Sequence, residues 1–116
     1  MDNKLLTPVL SVAAQISATD LPAIAQAGFK SVICNRPDGE GADQTGFKEI
    51  EQAAQAAGLQ ARDLPAETGK VTDEQGAAFG QLMDELPKPV LAYCRSGMRS
   101  TTMWALANAG KLPLPE

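Results

Sequence analysis

An α/β fold, a mostly parallel sheet covered by helices, is what this sequence predicts, and three observations predict it. Short apolar runs of strand length alternate with longer segments whose apolar residues recur at helical spacing. Gly28 and Gly58 each stand where such a helical segment should close. The runs ending at Cys34 and Tyr93 are short and continuously apolar, as strands buried on both faces of a parallel sheet are. At 116 residues the chain is expected to form one domain, residues 1–116, around one sizeable core.

The elements follow in order. Residues 5–12 are β-rich, with Thr7-Pro8 marking a turn or an edge position. Ser17 and Thr19 are N-cap candidates for a helix through Leu21, Pro22, Ile24 and Ala27. Residues 29–34 read as a buried strand that runs into the turn-forming loop Asn35-Arg36-Pro37-Asp38-Gly39-Glu40-Gly41. A helix is expected over 45–57, with Phe47, Ile50, Ala54 and Ala57 on one face. Residues 59–64 read as a strand and 65–71 as a loop. Thr72 and Gln75 form a capping box ahead of a helix with Phe79, Leu82, Met83 and Leu86 inward. Gly76 and Gly80 should weaken that helix by roughly 1 kcal/mol each. Residues 90–93 form a strand, and 101–109 a last helix with Met103, Trp104, Leu106 and Ala107 inward. The tail 110–116, with Pro113 and Pro115, reads as an extended end.

Composition narrows the chemistry. Fourteen acidic residues against ten basic give a net charge of −4, which disfavours a nucleic-acid or anionic-membrane partner. Asp2, Pro8 and Ser11 spoil a signal-peptide pattern, and no run reaches membrane-spanning length, so a cytoplasmic protein is expected. There is no histidine, which removes Ser-His-Asp and Cys-His catalysis and histidine-bound metals. Cys34 and Cys94 are too few for a disulfide scaffold or a cysteine-only metal site, so no metal and no cofactor is expected.

The segment Tyr93-Cys94-Arg95-Ser96-Gly97-Met98-Arg99-Ser100 leaves a buried strand and enters a helix, the place where open α/β sheets bind ligands. Successive backbone N–H groups and the helix's positive end make an anion cradle there. Gly97 permits the required backbone turn. Cys94 sits at its base, and Arg95 and Arg99 add positive charge, so the thiol pKa should fall from ~8.5. A thiolate formed in this way is a nucleophile without a histidine base. Cys94 and Arg99 are the expected catalytic pair, with Arg95, Ser96, Gly97, Met98 and Ser100 binding substrate. Ser100 could serve as helix cap or as a hydroxyl donor to the thiolate. Cys34 reads either as a small buried strand residue or as a resolving thiol for Cys94.

Cys94-Arg95-Ser96-Gly97-Met98-Arg99 resembles the active-site loop of rhodanese-type sulfurtransferases, and also the Cys-loop-Arg signature of protein tyrosine and dual-specificity phosphatases. Together with Gln15-Ile16 and the Ile33–Glu40 segment, it resembles the phosphatase-like domain of the beta-lactamase-hydrolase-like proteins over about residues 3–110. The resemblance implies a dual-specificity-phosphatase-like fold with helices on both sheet faces. It also brings Arg36 and Asp38 into the site, although a local turn explains those residues as well.

Three departures from the phosphatase pattern favour sulfur transfer. Four residues, not five, separate Cys94 from Arg99; Tyr93 stands in place of the family's histidine; and no aspartate is clearly placed as general acid. The family comparison puts Glu67 nearest the acid position, with Asp63, Asp73 and Asp38 behind it, and a solvated loop carboxylate competes with that role. Expelling an alkoxide calls for a proton, whereas expelling sulfite does not. The expected reaction is therefore transfer of sulfur from thiosulfate or a persulfide through a Cys94 persulfide to a thiol acceptor or cyanide. The alternative is hydrolysis of a phosphate ester through a Cys94-phosphate intermediate.

Overall fold

The protein is described from a computed structural model over residues 2–109, so the expectation for the tail at 110–116 lies outside the described residues. Five strands form one sheet: β1 (Asn3–Thr7), β2 (Leu10–Ala13), β3 (Ser31–Cys34), β4 (Gln60–Asp63) and β5 (Val90–Tyr93), in the order β1-β2-β5-β3-β4. β1 runs antiparallel to β2, and every other pairing is parallel. The three inner strands are buried along their whole length, which is why they read as apolar runs. The edge strands are more exposed and carry Lys4 and Arg62, charges that discourage edge-to-edge pairing.

Helices α1 (Leu21–Gln26) and α2 (Phe47–Ala56) cover one face, where Leu21, Ile24, Ile50 and Ala54 pack on Val32, Leu91 and Tyr93. Helices α3 (Asp73–Glu85) and α4 (Met98–Asn108) cover the other, where Phe79 and Met103 pack on Val90 and Ala92. The expected α/β architecture is therefore present, with the parallel strands central and one antiparallel edge.

The structure changes three local expectations. The β-rich stretch over 5–12 is a hairpin, because Thr7-Pro8-Val9 turns the chain and the Thr7 hydroxyl accepts from the Val9 N–H at 3.1 Å. The last helix begins at Met98 rather than Thr101, since Gly97 adopts φ +95° and serves as its N-cap. The glycines expected to weaken α3 are where it meets α4. A Cβ on Gly76 would lie 2.5 Å from that of Leu106, and one on Gly80 would lie 3.3 Å from that of Ala107. Intrinsic helix propensity is given up there for close approach of two helices.

The strand order also places the site. β3 and β5 are neighbours, yet the helices that follow them lie on opposite faces. A crevice opens where two such strands end, and the loops after Cys34 and Tyr93 meet in it.

Candidate active site

Cys94 follows the last residue of β5 and is fully buried, with its N–H bonded to the Ala13 carbonyl at 3.3 Å. Burial works against ionisation of its thiol. The backbone N–H groups of Ser100, Ser96, Gly97 and Arg99 outweigh it and hold the pKa below the ordinary cysteine value. The Gly97 N–H lies 3.0 Å from the sulfur. The Met98 N–H donates instead to the Ser96 hydroxyl, at 3.3 Å, so Ser96 serves the loop through its side chain as well as its amide. Arg95 is exposed at the rim, and Met98, 73% exposed, stands on the lip.

Arg99 is 6% exposed. Its Nη1 donates to Glu40 Oε2 at 2.6 Å and to the Ala66 carbonyl at 2.9 Å, and its Nη2 donates to Glu40 Oε1 at 2.9 Å. A guanidinium has five N–H donors. Nε–H and the outer Nη2–H, parallel along one edge, are not taken up by the Glu40 and Ala66 bonds, and the Cys94 sulfur lies beside the guanidinium. Arg99's pKa is raised, first by its hydrogen bonds to Glu40 and further by the Cys94 sulfur beside it. The Glu40 carboxyl is lowered to about 2, chiefly by the Arg99 hydrogen bond, with Arg36 adding to the effect against a cost from burial.

Arg36 joins the same network. It donates through Nε to Glu40 Oε1 at 2.9 Å and through Nη1 to Gln15 Oε1 at 3.1 Å. Ser100 is fully buried, and its hydroxyl donates to Asn35 Oδ1 at 2.8 Å. Its backbone amide faces the sulfur, whereas its hydroxyl braces the loop after β3, and Gly97 holds the N-cap position considered for Ser100. Asp38 accepts from the Phe47 N–H at 2.9 Å and so fastens the start of α2. Glu67 is paired with Lys70 at 3.2 Å, both side chains largely exposed, and lines a separate hollow with Pro37, Pro65 and Gln75. Tyr93 and Cys34 pack in the core beneath α1 and α2. The Cys34 sulfur donates to the Arg36 carbonyl at 3.2 Å, and burial pushes its thiol up to about 11, which does not suit a resolving role.

A cavity of about 520 Å³ lies over Arg95, Ser96 and Arg99, walled by Thr68, Gly69, Val71 and Thr102. Among the described residues, no group of three or more histidine, cysteine, aspartate or glutamate side chains could hold a metal ion, and no helix is long and apolar enough to cross a membrane. Glu40 is the residue that sequence reasoning missed. Its spacing of four from Arg36 carried the signal, but its pairing with Arg99 joins residues 59 apart in sequence.

A cysteine-based loop between a central strand and a helix, with an arginine in that helix's first turn, defines an enzyme of the phosphatase-like hydrolase class. The chain belongs to the family described as the beta-lactamase hydrolase-like protein, phosphatase-like domain, whose profile matches residues 2–111. It is 38% identical over 100 residues to a beta-lactamase hydrolase-like protein of Agrobacterium fabrum, covering 86% of this chain and 23% of that one. The chain thus spans about a quarter of the length of the curated relatives it matches. A crystal structure from Neisseria meningitidis, named as a candidate phosphatase, superposes with a TM-score of 0.87 at 34% identity, covering 95% of this chain and 79% of that one. Tk-PTP in its active form shares the fold, with a TM-score of 0.73 at 21% identity over 93% of this chain and 74% of that one.

These matches overturn the expectation of sulfur transfer and of a rhodanese-like loop: family and fold point to a phosphatase-like hydrolase. The loop is one residue shorter than the phosphatase pattern, as read from the sequence. Gly97's left-handed turn starts the helix early, its N–H lies 3.0 Å from the sulfur, and the amides of Ser96, Arg99 and Ser100 also hold the thiol's pKa down.

Proposed function

We propose that this chain hydrolyses phosphate monoesters through a covalent Cys94-phosphate intermediate. The observation that carries this reading is the Gly97 N–H on the Cys94 sulfur at the start of α4, with the Arg99 guanidinium beside that sulfur and one of its edges outside the Glu40 and Ala66 bonds. The donors of Arg99 match two oxygens of one phosphoryl group. The loop amides match the remaining negative charge, and Arg95 draws the dianion to the rim. The Cys94 thiolate attacks phosphorus, and the bond to the ester oxygen breaks with its electron pair on that oxygen. Water then attacks the Cys94-phosphate, releasing inorganic phosphate and the thiolate. Glu40, Arg36 and Gln15 hold Arg99 in place for both steps.

The test is hydrolysis of p-nitrophenyl phosphate by wild type and Cys94→Ser, with mass spectrometry of the acid-quenched enzyme. A phosphoryl adduct on Cys94 and loss of turnover in the variant are expected. Turnover that survives Cys94→Ser would refute the proposal.

A further inference from the structure

We infer that the site works without a general acid, and that its substrates are therefore phosphate esters whose leaving oxygen is only weakly basic. This rests on the phosphatase reading above and narrows its substrate class.

The cavity over Arg95, Ser96 and Arg99, on the loop that holds Cys94, has walls of hydroxyl, methyl and thioether groups and two arginines, with no carboxylate among the described residues. Glu40, which touches Arg99, is spent in two ion pairs and stays ionised, so it has no proton to give. Asp38 is bonded to the start of α2. Asp63 ends β4 on the side of Cys34, and Asp73 lies exposed in the first turn of α3. Asp2 lines a second cavity, between β1 and α4, which shares Ser96, Met98 and Thr102 with the first but not Arg99.

Glu67 is the carboxylate that the family resemblance puts nearest the acid position, and its neighbour fastens it outside. The Ala66 N–H donates to the Asn35 carbonyl at 3.1 Å, and the Ala66 carbonyl accepts from Arg99 at 2.9 Å. The chain is thus pinned at the residue before Glu67, which leaves that side chain with Lys70 in the separate hollow.

In the first step the Cys94 thiolate forms the S–P bond as the P–O bond breaks. The leaving group departs as an anion and takes its proton from bulk water. A phenolate tolerates this; an alkoxide does not. The apolar wall of Val71 and Met98 suits an aromatic leaving group on the same grounds.

The experiment measures kcat/KM, which reports the first step, for a series of substituted phenyl phosphates of graded phenol acidity and for an alkyl phosphate. Wild type, Cys94→Ser, Glu67→Gln and Asp2→Asn are compared across pH. General acid catalysis is worth roughly 100- to 10,000-fold, so kcat/KM should fall by about 100-fold or more from p-nitrophenyl to unsubstituted phenyl phosphate. Glu67→Gln and Asp2→Asn should stay within about twofold of wild type, with no alkaline limb in any profile. A flat dependence on leaving-group acidity would overturn the inference. So would a loss of about tenfold or more in either carboxylate variant together with loss of an alkaline limb. Absence of any Cys94-dependent turnover would instead overturn the phosphatase reading on which the inference stands.

Discussion

Arg99 lays the Nη1–Nη2 edge of its guanidinium on the carboxylate of Glu40, at 2.6 and 2.9 Å, which leaves its Nε–Nη2 edge outside that pairing. One carboxylate thereby aims the arginine and answers part of its charge, while Arg36 grips the same carboxylate from the other side.

Glu40→Gln should separate these roles. The variant keeps the shape of the side chain but loses the charge that two arginines share. Loss of charge-assisted hydrogen bonds of this kind costs about 1.5–3 kcal/mol, which in a transition state is roughly a 10- to 100-fold fall in kcat/KM. Steady-state kinetics on an aryl phosphate checks this, and circular dichroism confirms that the variant is folded.

The same carboxylate makes stability depend on pH at the acid end. Glu40's pKa falls from 4.5 to about 2 in the folded protein, so below 4.5 the unfolded chain binds the proton more readily. The contribution is fully present above about pH 4.5 and is lost as pH falls through about 2. Asp63, raised first by burial, works in the opposite direction. Urea midpoints from pH 5 toward pH 2 should therefore drop more steeply in wild type than in Glu40→Gln, and that difference isolates Glu40.

Alkylation should tell the two cysteines apart. In a Cys34→Ala background, iodoacetate labelling of Cys94 should show a thiol inflection below ~8.5. In a Cys94→Ser background, Cys34 should label only at strongly alkaline pH, as its rise to about 11 requires. Mass spectrometry across pH reads both, and a Cys94 inflection at or above the ordinary thiol value would contradict the cradle.

Ser100→Ala tests how the two loops are joined. The substitution leaves Asn35 Oδ1 without its donor in a fully buried position, at a cost of about 1–3 kcal/mol. Asn35 Nδ2 still donates to the Leu64 carbonyl, so the fold should survive while the urea midpoint falls. Activity should fall too, because Asn35 begins the loop that carries Arg36 and Glu40.

Gly76→Ala sets propensity against packing. By propensity alone alanine should stabilise α3 by roughly 1 kcal/mol. The added methyl would meet Leu106 Cβ at 2.5 Å, and overpacking of this kind costs about 1–3 kcal/mol. A lower urea midpoint in the variant is the expected result, and a higher one would show that α4 yields.

Gly76 also shows why some of the structure was legible in the sequence and some was not. The apolar runs that became β3 and β5, and the Thr72–Gln75 capping box, are local signals, and the structure contains them as read. The cradle around Cys94 was legible for the same reason, since strand, loop and glycine are adjacent in the chain. The Gly76–Leu106 approach and the Glu40–Arg99 pair depend on how distant segments dock, and no periodicity records that. Asp38 and Glu67 looked functional because acidic loop residues near a site often are. Their partners, the Phe47 amide and Lys70, lie away from Cys94. The sulfur-transfer expectation rested on the loop count, on Tyr93 and on the lack of a clearly placed acid, and it is the family match that overturns it.

The groups of Ser96, Gly97 and Ser100 that hold the Cys94 pKa down are peptide amides, joined by the amide of Arg99, whose guanidinium also lies beside the sulfur. Activation of the nucleophile is thus encoded in chain trajectory. An alanine scan through positions 95, 96 and 98 leaves those dipoles in place and would mistake the loop for a tolerant one. What such a scan leaves intact is the one property the loop is built to supply, and only a change that alters the course of the backbone, as at Gly97, would bring it to light.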